Sequence, residues 1–186
     1  MFQPDRYAGD DALPVMVPRN EKVLVPTSPK RVQRLREHLV RVLRGLPAMD
    51  PECPALPPLP EPEGFAARVA HTACSMCKGS CCKNGEDDAF LDDRTLARVR
   101  RAGPALDASA VLLLYVEHVP EVGYEGSCIF HGKQGCTLDR SLRSDVCNAY
   151  FCGGLYSYLK GDGGAAPTVI IAGEGDKMRT SPILLP

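Results

Sequence analysis

Apolar residues recur at helical spacing in the segment that follows Thr27. Valine and leucine repeat every three or four residues, at Val32, Leu35, Leu39, Val42 and Leu43. This spacing places the apolar side chains on one face of a helix. Ser28 is a suitable N-cap, Pro29 suits the first turn, and Gly45 ends the pattern. We therefore predict an amphipathic helix over residues 30–44, with its arginines facing water.

Four further segments have helical patterns. They are FAARVAHTAC, DDRTLARVRRAG, PALDASAVLLLYVEHVP and a last helix that carries Cys147 and Cys152 onward to Gly161. Strand signals are weak and occur only at residues 23–25 and 168–172. The sequence thus predicts a mainly α fold with irregular cysteine-bearing loops, as a small metal-stapled single domain with an N-terminal helical arm.

Prolines and glycines divide the chain. Seven prolines lie in PAMDPECPALPPLPEPE, which is typical of an extended linker. We predict an N-terminal arm with a basic amphipathic helix at 1–46, a Pro-rich linker at 47–63, a cysteine-cluster metal-binding domain at 64–160 and a C-terminal tail at 161–186. Aromatic residues make up only 6% of the chain, so a metal would compensate for a modest core.

Charge and hydropathy exclude several function classes. The net charge is −1, which does not favour nucleic acid as a partner. No stretch of about 18 apolar residues is present, so no membrane-spanning helix is expected. The first twenty residues contain acids and prolines in place of a secretory signal. We therefore expect a cytoplasmic protein, whose reduced cysteines are metal ligands or redox centres.

Eight of the nine cysteines fall in two groups. The first is Cys74, Cys77, Cys81 and Cys82, and the second is Cys128, Cys136, Cys147 and Cys152. Four thiols are the complete ligand set of a zinc site or a [4Fe–4S] cluster. Soft sulfur ligands favour these metals over magnesium or calcium. All eight cysteines are therefore predicted metal ligands, and the cofactor is predicted to be zinc or an iron–sulfur cluster.

The spacings leave the number of sites open. Cys74-x2-Cys77 is typical of a chelating loop, with Gly79 easing the turn that follows it. Adjacent Cys81 and Cys82 point in different directions, so they serve two metals, or one of them packs. A hairpin is predicted between Cys128 and Cys136. Cys147 and Cys152 are five positions apart, which places them about 140° apart on a helix, so a break in the helix or two separate metals is needed for both to be ligands.

We expect the metal to join residues 74–82 to residues 128–152, so that folding depends on the ion. We expect the core ligands of such a site to be Cys74, Cys77, Cys81, Cys136 and Cys147. Cys82, Cys128 and Cys152 would then complete a second site or extend the first. His71 or His131 could replace a thiolate, although surface or supporting roles suit them better.

The cysteine pattern resembles a known family. Cys74-x2-Cys77-x3-Cys81-Cys82, Cys128 with Phe130, Gly135-Cys136-x-Leu138, and Arg143 before Cys147 with Tyr150 are similar to the YkgJ-like cysteine-cluster proteins. The resemblance covers roughly residues 70–160. It implies a zinc- or iron-chelating domain, and flagellin lysine methylase relatives of that family carry an iron–sulfur cluster in a SAM-dependent protein. The chain has three residues before its cysteine pair where the family usually has two.

Three function classes follow. The first is a protein that holds zinc or an iron–sulfur cluster and supports a modifying or electron-transfer partner. The alternatives are a structural zinc module for protein–protein interaction and a cytosolic thiol redox sensor. No carboxylate pair, nucleophile with its base, or nucleotide-binding motif is visible, so whether the chain is an enzyme stays open.

Overall fold

The computed structural model describes residues 12–46, 62–103, 106–161, 166–174 and 176–186. Of these residues, 45% are helical and 17% lie in strands, which form two sheets. The predicted mainly α fold is therefore wrong, because the described part of the chain mixes helix and sheet. The strand signals at residues 23–25 and 168–172 are confirmed, since strands lie at Leu24–Pro26 and Thr168–Glu174. The strand at Leu13–Val17 was not predicted, because it pairs with residues 168–172, which are distant in sequence.

The helices follow from local signals. They are α1 (Pro29–Gly45), α2 (Gly64–Cys77), α3 (Asp93–Ala102), α4 (Ala108–Glu117), α5 (Asp145–Ala149) and α6 (Gly153–Lys160), with a 3₁₀ helix at Ser80–Asn84. The Ser28 side chain accepts a hydrogen bond from the Lys30 N–H and caps α1, as predicted. Asp92 caps α3 by accepting from the Thr95 N–H. The predicted start of α4 at Pro104 is wrong, because Asp107 caps the helix instead.

The strands form one mixed and one antiparallel sheet. They are β1 (Leu13–Val17), β2 (Leu24–Pro26), β3 (Val122–Tyr124), β4 (His131–Gly132), β5 (Gly135–Cys136), β6 (Thr168–Glu174) and β7 (Lys177–Thr180). The first sheet has the order β1-β6-β7, with β1 parallel to β6 and β7 antiparallel to it. The second has the order β2-β3-β4-β5 and is antiparallel throughout.

The chain forms two compact units in place of the expected single domain. The first unit comprises Met1–Glu21, Pro60–Cys81 and Phe151–Pro186. The second comprises Lys22–Leu59 and Cys82–Tyr150. The peptide bond between Cys81 and Cys82 is therefore also a boundary between units.

The first unit is built on strand β6. Its residues from Thr168 to Ala172 are buried, as suits a central strand with neighbours on both edges. Strand β1 is buried at Val15 and Val17 but exposed at Met16. Helices α2 and α6 both contact this sheet. The core they share contains Val15, Val17, Val69, Ala73, Cys77, Leu155, Tyr158 and Ile170.

The second unit is built on helix α1. Its residues Leu35, Leu39 and Leu43 recur at four-residue steps and are buried against α3 and α4. Tyr115 is fully buried, lies beside Phe130, and donates its hydroxyl hydrogen to the Leu142 carbonyl at 2.8 Å. This bond satisfies a polar group in the core and ties α4 to the loop before α5.

Two predictions concern segments that are only partly described. The linker predicted at 47–63 lies almost wholly outside the described residues, and Cys53 lies there with it. The four predicted domain ranges stay predictions.

Among the described helices, none combines the length and apolar content that crossing a bilayer requires.

Candidate functional site

The first cysteines lie at the end of helix α2. Cys74 and Cys77 occupy its last turn, three residues apart and on the same side of the helix. The predicted chelating loop is therefore wrong for these two residues. The turn comes directly afterwards, where Lys78 and Gly79 adopt left-handed φ values of 50° and 64°. The Lys78 N–H donates to the Cys74 carbonyl at 3.2 Å and closes the helix.

The chain then enters the 3₁₀ helix that carries the adjacent cysteine pair. The backbone N–H of Ser80 donates to Cys77 Sγ at 3.3 Å. Burial raises the pKa of Cys77, and the backbone N–H groups of Ser80 and Cys81 oppose this rise. Hydrogen bonds of this kind favour a thiolate, which is the form that binds metal.

Cys152 joins these residues from the far end of the chain. It is the N-cap of α6 and packs against the same core cluster as Cys77. The following helix lies close to β1, because a Cβ added at Gly154 would overlap the Met16 carbonyl oxygen. Only glycine allows this approach. We call Cys74, Cys77, Cys81 and Cys152 the first quartet, and all four belong to the first unit.

The thiols of the first quartet act on one another. The pKa of Cys74 is raised to about 11, mainly by desolvation and then by charges on Cys81, Cys77 and Cys152, although the residue itself is exposed at the surface. Burial also raises the pKa of Cys77, with added contributions from Cys81 and Cys152. Such mutual repulsion requires the thiols to be near each other. A cation among them would relieve it.

The other four cysteines lie in the second unit. Cys82, Cys128, Cys136 and Cys147 are called the second quartet. The Cys128 N–H donates to the Cys82 carbonyl at 2.8 Å, which joins the two chain segments. A Cβ added at Gly85 would lie 2.9 Å from Cys128 Cβ and 3.2 Å from its Sγ, so this turn approaches the thiol closely. Cys82 and Cys136 pack against the core cluster that contains Cys128.

A short hairpin links Cys128 to Cys136, as predicted. It consists of β4 and β5, with His131 opposite Cys136 and Gly132 opposite Gly135. Gly135 has a φ of 111°, which requires glycine. The side chain of His131 is buried, and its Nδ1 is 2.8 Å from Ser127 Oγ. His131 therefore belongs to the core of the hairpin, whereas His71 is exposed on α2.

Cys147 lies on α5, and its N–H donates to the Ser144 side chain at 3.1 Å. The predicted single helix through Cys147 and Cys152 is wrong. The chain breaks at Tyr150, whose φ and ψ are extended, and α6 starts only after Cys152. This break places the two cysteines in different units.

Cys128 is the buried thiol of the second quartet. Burial raises its pKa to about 12, and the Phe130 N–H opposes this rise. Charges on Cys136 and Cys147 raise the pKa, and the nearby Arg31 lowers it. The second quartet thus resembles the first, because two neighbouring cysteines would repel a Cys128 thiolate if they were ionised and a backbone N–H acts on its sulfur.

The structure groups the cysteines differently from the expected core set. It places Cys74, Cys77 and Cys81 in the first unit, and Cys136 and Cys147 in the second. None of the eight described cysteines forms a disulfide. Across the described residues, no three Cys, His, Asp or Glu side chains are placed so that they could hold a metal ion as they stand.

Two arginines that support the second quartet were not predicted. Arg31 was expected to face water, but its side chain is only 19% exposed and bonds to the loops around Cys82 and Cys128. Arg98 donates to the carbonyls of Ser141 and Arg143, in the loop that leads to Cys147. No sequence signal separates these two from the other arginines of α1 and α3.

Comparison with known proteins yields no relative. No protein-family model matches the chain, no curated protein is significantly similar to it, and no solved structure matches its fold.

Proposed function

We propose that this protein binds metal at two separate sites, one formed by each quartet. The observation that carries the proposal is the division of the eight clustered cysteines into four and four, with the boundary between units falling between Cys81 and Cys82. Four thiolates complete the coordination of a zinc ion or hold one [4Fe–4S] cluster. Binding requires the side chains of each quartet to turn toward a shared point.

The raised pKa values do not suit a redox switch. A switch cysteine needs a lowered pKa, so that its thiolate reacts at neutral pH. Burial instead raises the pKa of Cys128 to about 12, and the pKa of the exposed Cys74 is raised to about 11. A metal ion displaces these protons and removes the repulsion among the thiolates. The backbone N–H groups near the Cys77 and Cys128 sulfurs would then stabilise the bound form.

The proposal agrees with the YkgJ-like resemblance, which implies a zinc- or iron-chelating domain. A zinc ion bound by each quartet would stabilise the fold of its unit. An iron–sulfur cluster would also allow the protein to transfer electrons. We place the protein in the cytoplasm, where thiols stay reduced. An iron–sulfur form would serve a modifying or electron-transfer partner, and a zinc form would present a surface for protein–protein interaction.

Anaerobic purification followed by elemental analysis tests the proposal. Two zinc ions per chain and a colourless protein would support two zinc sites. Absorbance near about 400 nm, with iron and acid-labile sulfide in equal amounts, would support two clusters. A chain that holds no zinc, iron or sulfide, and takes up none from Zn²⁺ or from iron and sulfide in anaerobic reconstitution, would overturn it.

Single-cysteine variants test the division into quartets. We expect Cys74→Ala to lose the metal of the first quartet and keep that of the second, and Cys136→Ala to do the reverse. Cys53→Ala is the matched control, since Cys53 lies outside both quartets and should leave the metal content unchanged. Loss of all metal in both Cys74→Ala and Cys136→Ala would instead indicate one shared site.

A further inference from the structure

Arg31 joins three acceptors on two segments of the second unit. Its Nε donates to Asp87 Oδ1 at 2.5 Å. Its Nη2 donates to the Ser127 carbonyl at 2.5 Å and to the Glu86 carbonyl at 3.2 Å. A planar guanidinium suits this arrangement, because its donors point in fixed directions.

The two segments carry the cysteines at positions 82 and 128. Ser127 directly precedes Cys128, and Glu86 lies in the turn that follows the 3₁₀ helix of Cys82. These segments also bond to each other, since the Ile129 N–H donates to the Glu86 carbonyl at 2.7 Å. The Glu86 carbonyl thus accepts from both Ile129 and Arg31.

The turn that Arg31 holds is strained. Glu86 has a φ of 37° and Ala89 a φ of 53°, which are left-handed values for residues with a Cβ. Such a conformation is unfavourable for these residues, so surrounding contacts must hold it in place. Arg31 supplies two such contacts. It donates a hydrogen bond to the Glu86 carbonyl and forms an ion pair with Asp87, the next residue.

Arg31 also brings a positive charge to this region, because its Nη2 donates to the carbonyl of the residue before Cys128, and Asp87 neutralises part of that charge. A divalent ion bound by four thiolates leaves excess negative charge, which a neighbouring cation offsets.

We propose that Arg31 is a positioning residue of the second quartet, which holds the Cys82 and Cys128 segments together for metal binding and offsets part of the negative charge of the loaded site. This proposal rests on the proposed function, because it presumes that the second quartet binds metal.

Arg34 provides a matched control on the same helix. It donates to the other oxygen of the same carboxylate, Asp87 Oδ2, at 2.5 Å, but its side chain is 56% exposed. Arg34→Met therefore removes an arginine and an ion pair to Asp87 while leaving the Arg31 bonds to Glu86 and Ser127. Arg31→Met removes those bonds and the charge, and Arg31→Lys keeps the charge without the fork of donors.

The test is a Zn²⁺ titration of the full chain against a competing chelator. Zn²⁺ binding by the second quartet is measured in the Cys74→Ala background, which lacks a ligand of the first quartet. Zn²⁺ binding by the first quartet is measured in the Cys136→Ala background. We expect Arg31→Met to weaken Zn²⁺ binding by the second quartet by about 10- to 100-fold. The loss of Zn²⁺ affinity in Arg31→Lys should be several-fold smaller than in Arg31→Met. Arg34→Met should change the affinity by less than about 3-fold. The first quartet should keep its affinity in all three variants.

The pH dependence separates a charge effect from a general loss of structure. The midpoint pH for Zn²⁺ binding by the second quartet should rise in Arg31→Met and stay unchanged in Arg34→Met. Equal affinities for Arg31→Met and Arg34→Met, or an equal loss at both quartets, would overturn the proposal. If circular dichroism shows that Arg31→Met is unfolded, Arg31→Lys decides, and wild-type affinity in that variant would overturn it.

Failure of this proposal is distinguishable from failure of the proposed function. If the unmodified chain binds no Zn²⁺ at the second quartet, the proposed function fails. If it binds Zn²⁺ and the Arg31 variants bind equally well, only the role of Arg31 fails.

Discussion

Individual thiols set the pH behaviour of the metal-free chain. Burial raises the pKa of Cys128 to about 12, from 9.0 for an ordinary thiol. A raised pKa in the folded state means that folding favours the protonated thiol. Its contribution to stability is complete below pH 9 and is lost as the pH rises toward the folded pKa.

Raising the pH should therefore destabilise the metal-free protein. Between pH 8 and pH 10.5 we expect Cys128 to contribute a loss of about 2 kcal/mol in the free energy of unfolding. Denaturant titrations under reducing conditions measure this change. Cys128→Ala is the comparison, because it lacks the group and should lose correspondingly less over the same range. Equal losses in both proteins would contradict the assignment to Cys128.

The side chain of Arg98 is expected to support the loop before α5. It donates to two backbone carbonyls, and its Nε lies 3.3 Å from Asp145 Oδ1. Arg98→Met should lower the free energy of unfolding by about 1–3 kcal/mol, because the carbonyls of Ser141 and Arg143 lose a charged donor. Arg94→Met, at an exposed position on the same helix, should change it by less than about 0.5 kcal/mol. Denaturant titration compares the two, and equal effects would contradict this role.

At the scale of elements, the position of α6 depends on one glycine. Gly154 meets the Met16 carbonyl of β1, whereas Gly153 has open space where a Cβ would be added. Gly154→Ala should destabilise the protein by about 2 kcal/mol or more, because α6 must move away from the sheet. Gly153→Ala should be neutral or stabilising by up to about 1 kcal/mol. Thermal unfolding measures both, and similar melting temperatures would contradict the close approach.

The elements that the sequence predicts well are those with local signals. Ser28 and Asp92 cap their helices where the residues downstream repeat at helical spacing, so α1 and α3 are found correctly. The hairpin at Gly132 and Gly135 is also local. Strand β1 has no such signal, because it forms only through its pairing with β6 at the other end of the chain.

The candidate site is likewise only partly predictable from the sequence. Sequence spacing identifies the eight cysteines as a set, but assigning each to a quartet requires the fold. Cys81 and Cys82 are neighbours in sequence and belong to different units, and the helix expected to join Cys147 to Cys152 is broken. Arg31 is one of several arginines on α1, and only the tertiary structure shows that it contacts the second quartet's loops.

At the scale of the whole molecule, each quartet is expected to stabilise its own unit. Losing the first-quartet metal in Cys74→Ala should speed amide hydrogen exchange in β6, around Ile170, by about 100-fold. Exchange in α1, around Leu39, should stay slow. Cys136→Ala should show the opposite distribution. Hydrogen exchange measured by mass spectrometry makes the comparison. Equally faster exchange in both units for both variants would contradict the prediction that each metal stabilises only its own unit.

The parallel pairing of β1 with β6 has a consequence for biosynthesis. The ribosome makes Val15 and Val17 before the second unit, yet the strand that covers them begins only at Thr168. The second unit ends at Tyr150, so it can be completed while β1 still lacks its neighbour. A nascent chain therefore exposes an unpaired apolar strand while the residues between β1 and β6 are made, which is the kind of segment that chaperones bind. Translation products that stop before Thr168 should aggregate or be degraded, even though every cysteine of both quartets is already present.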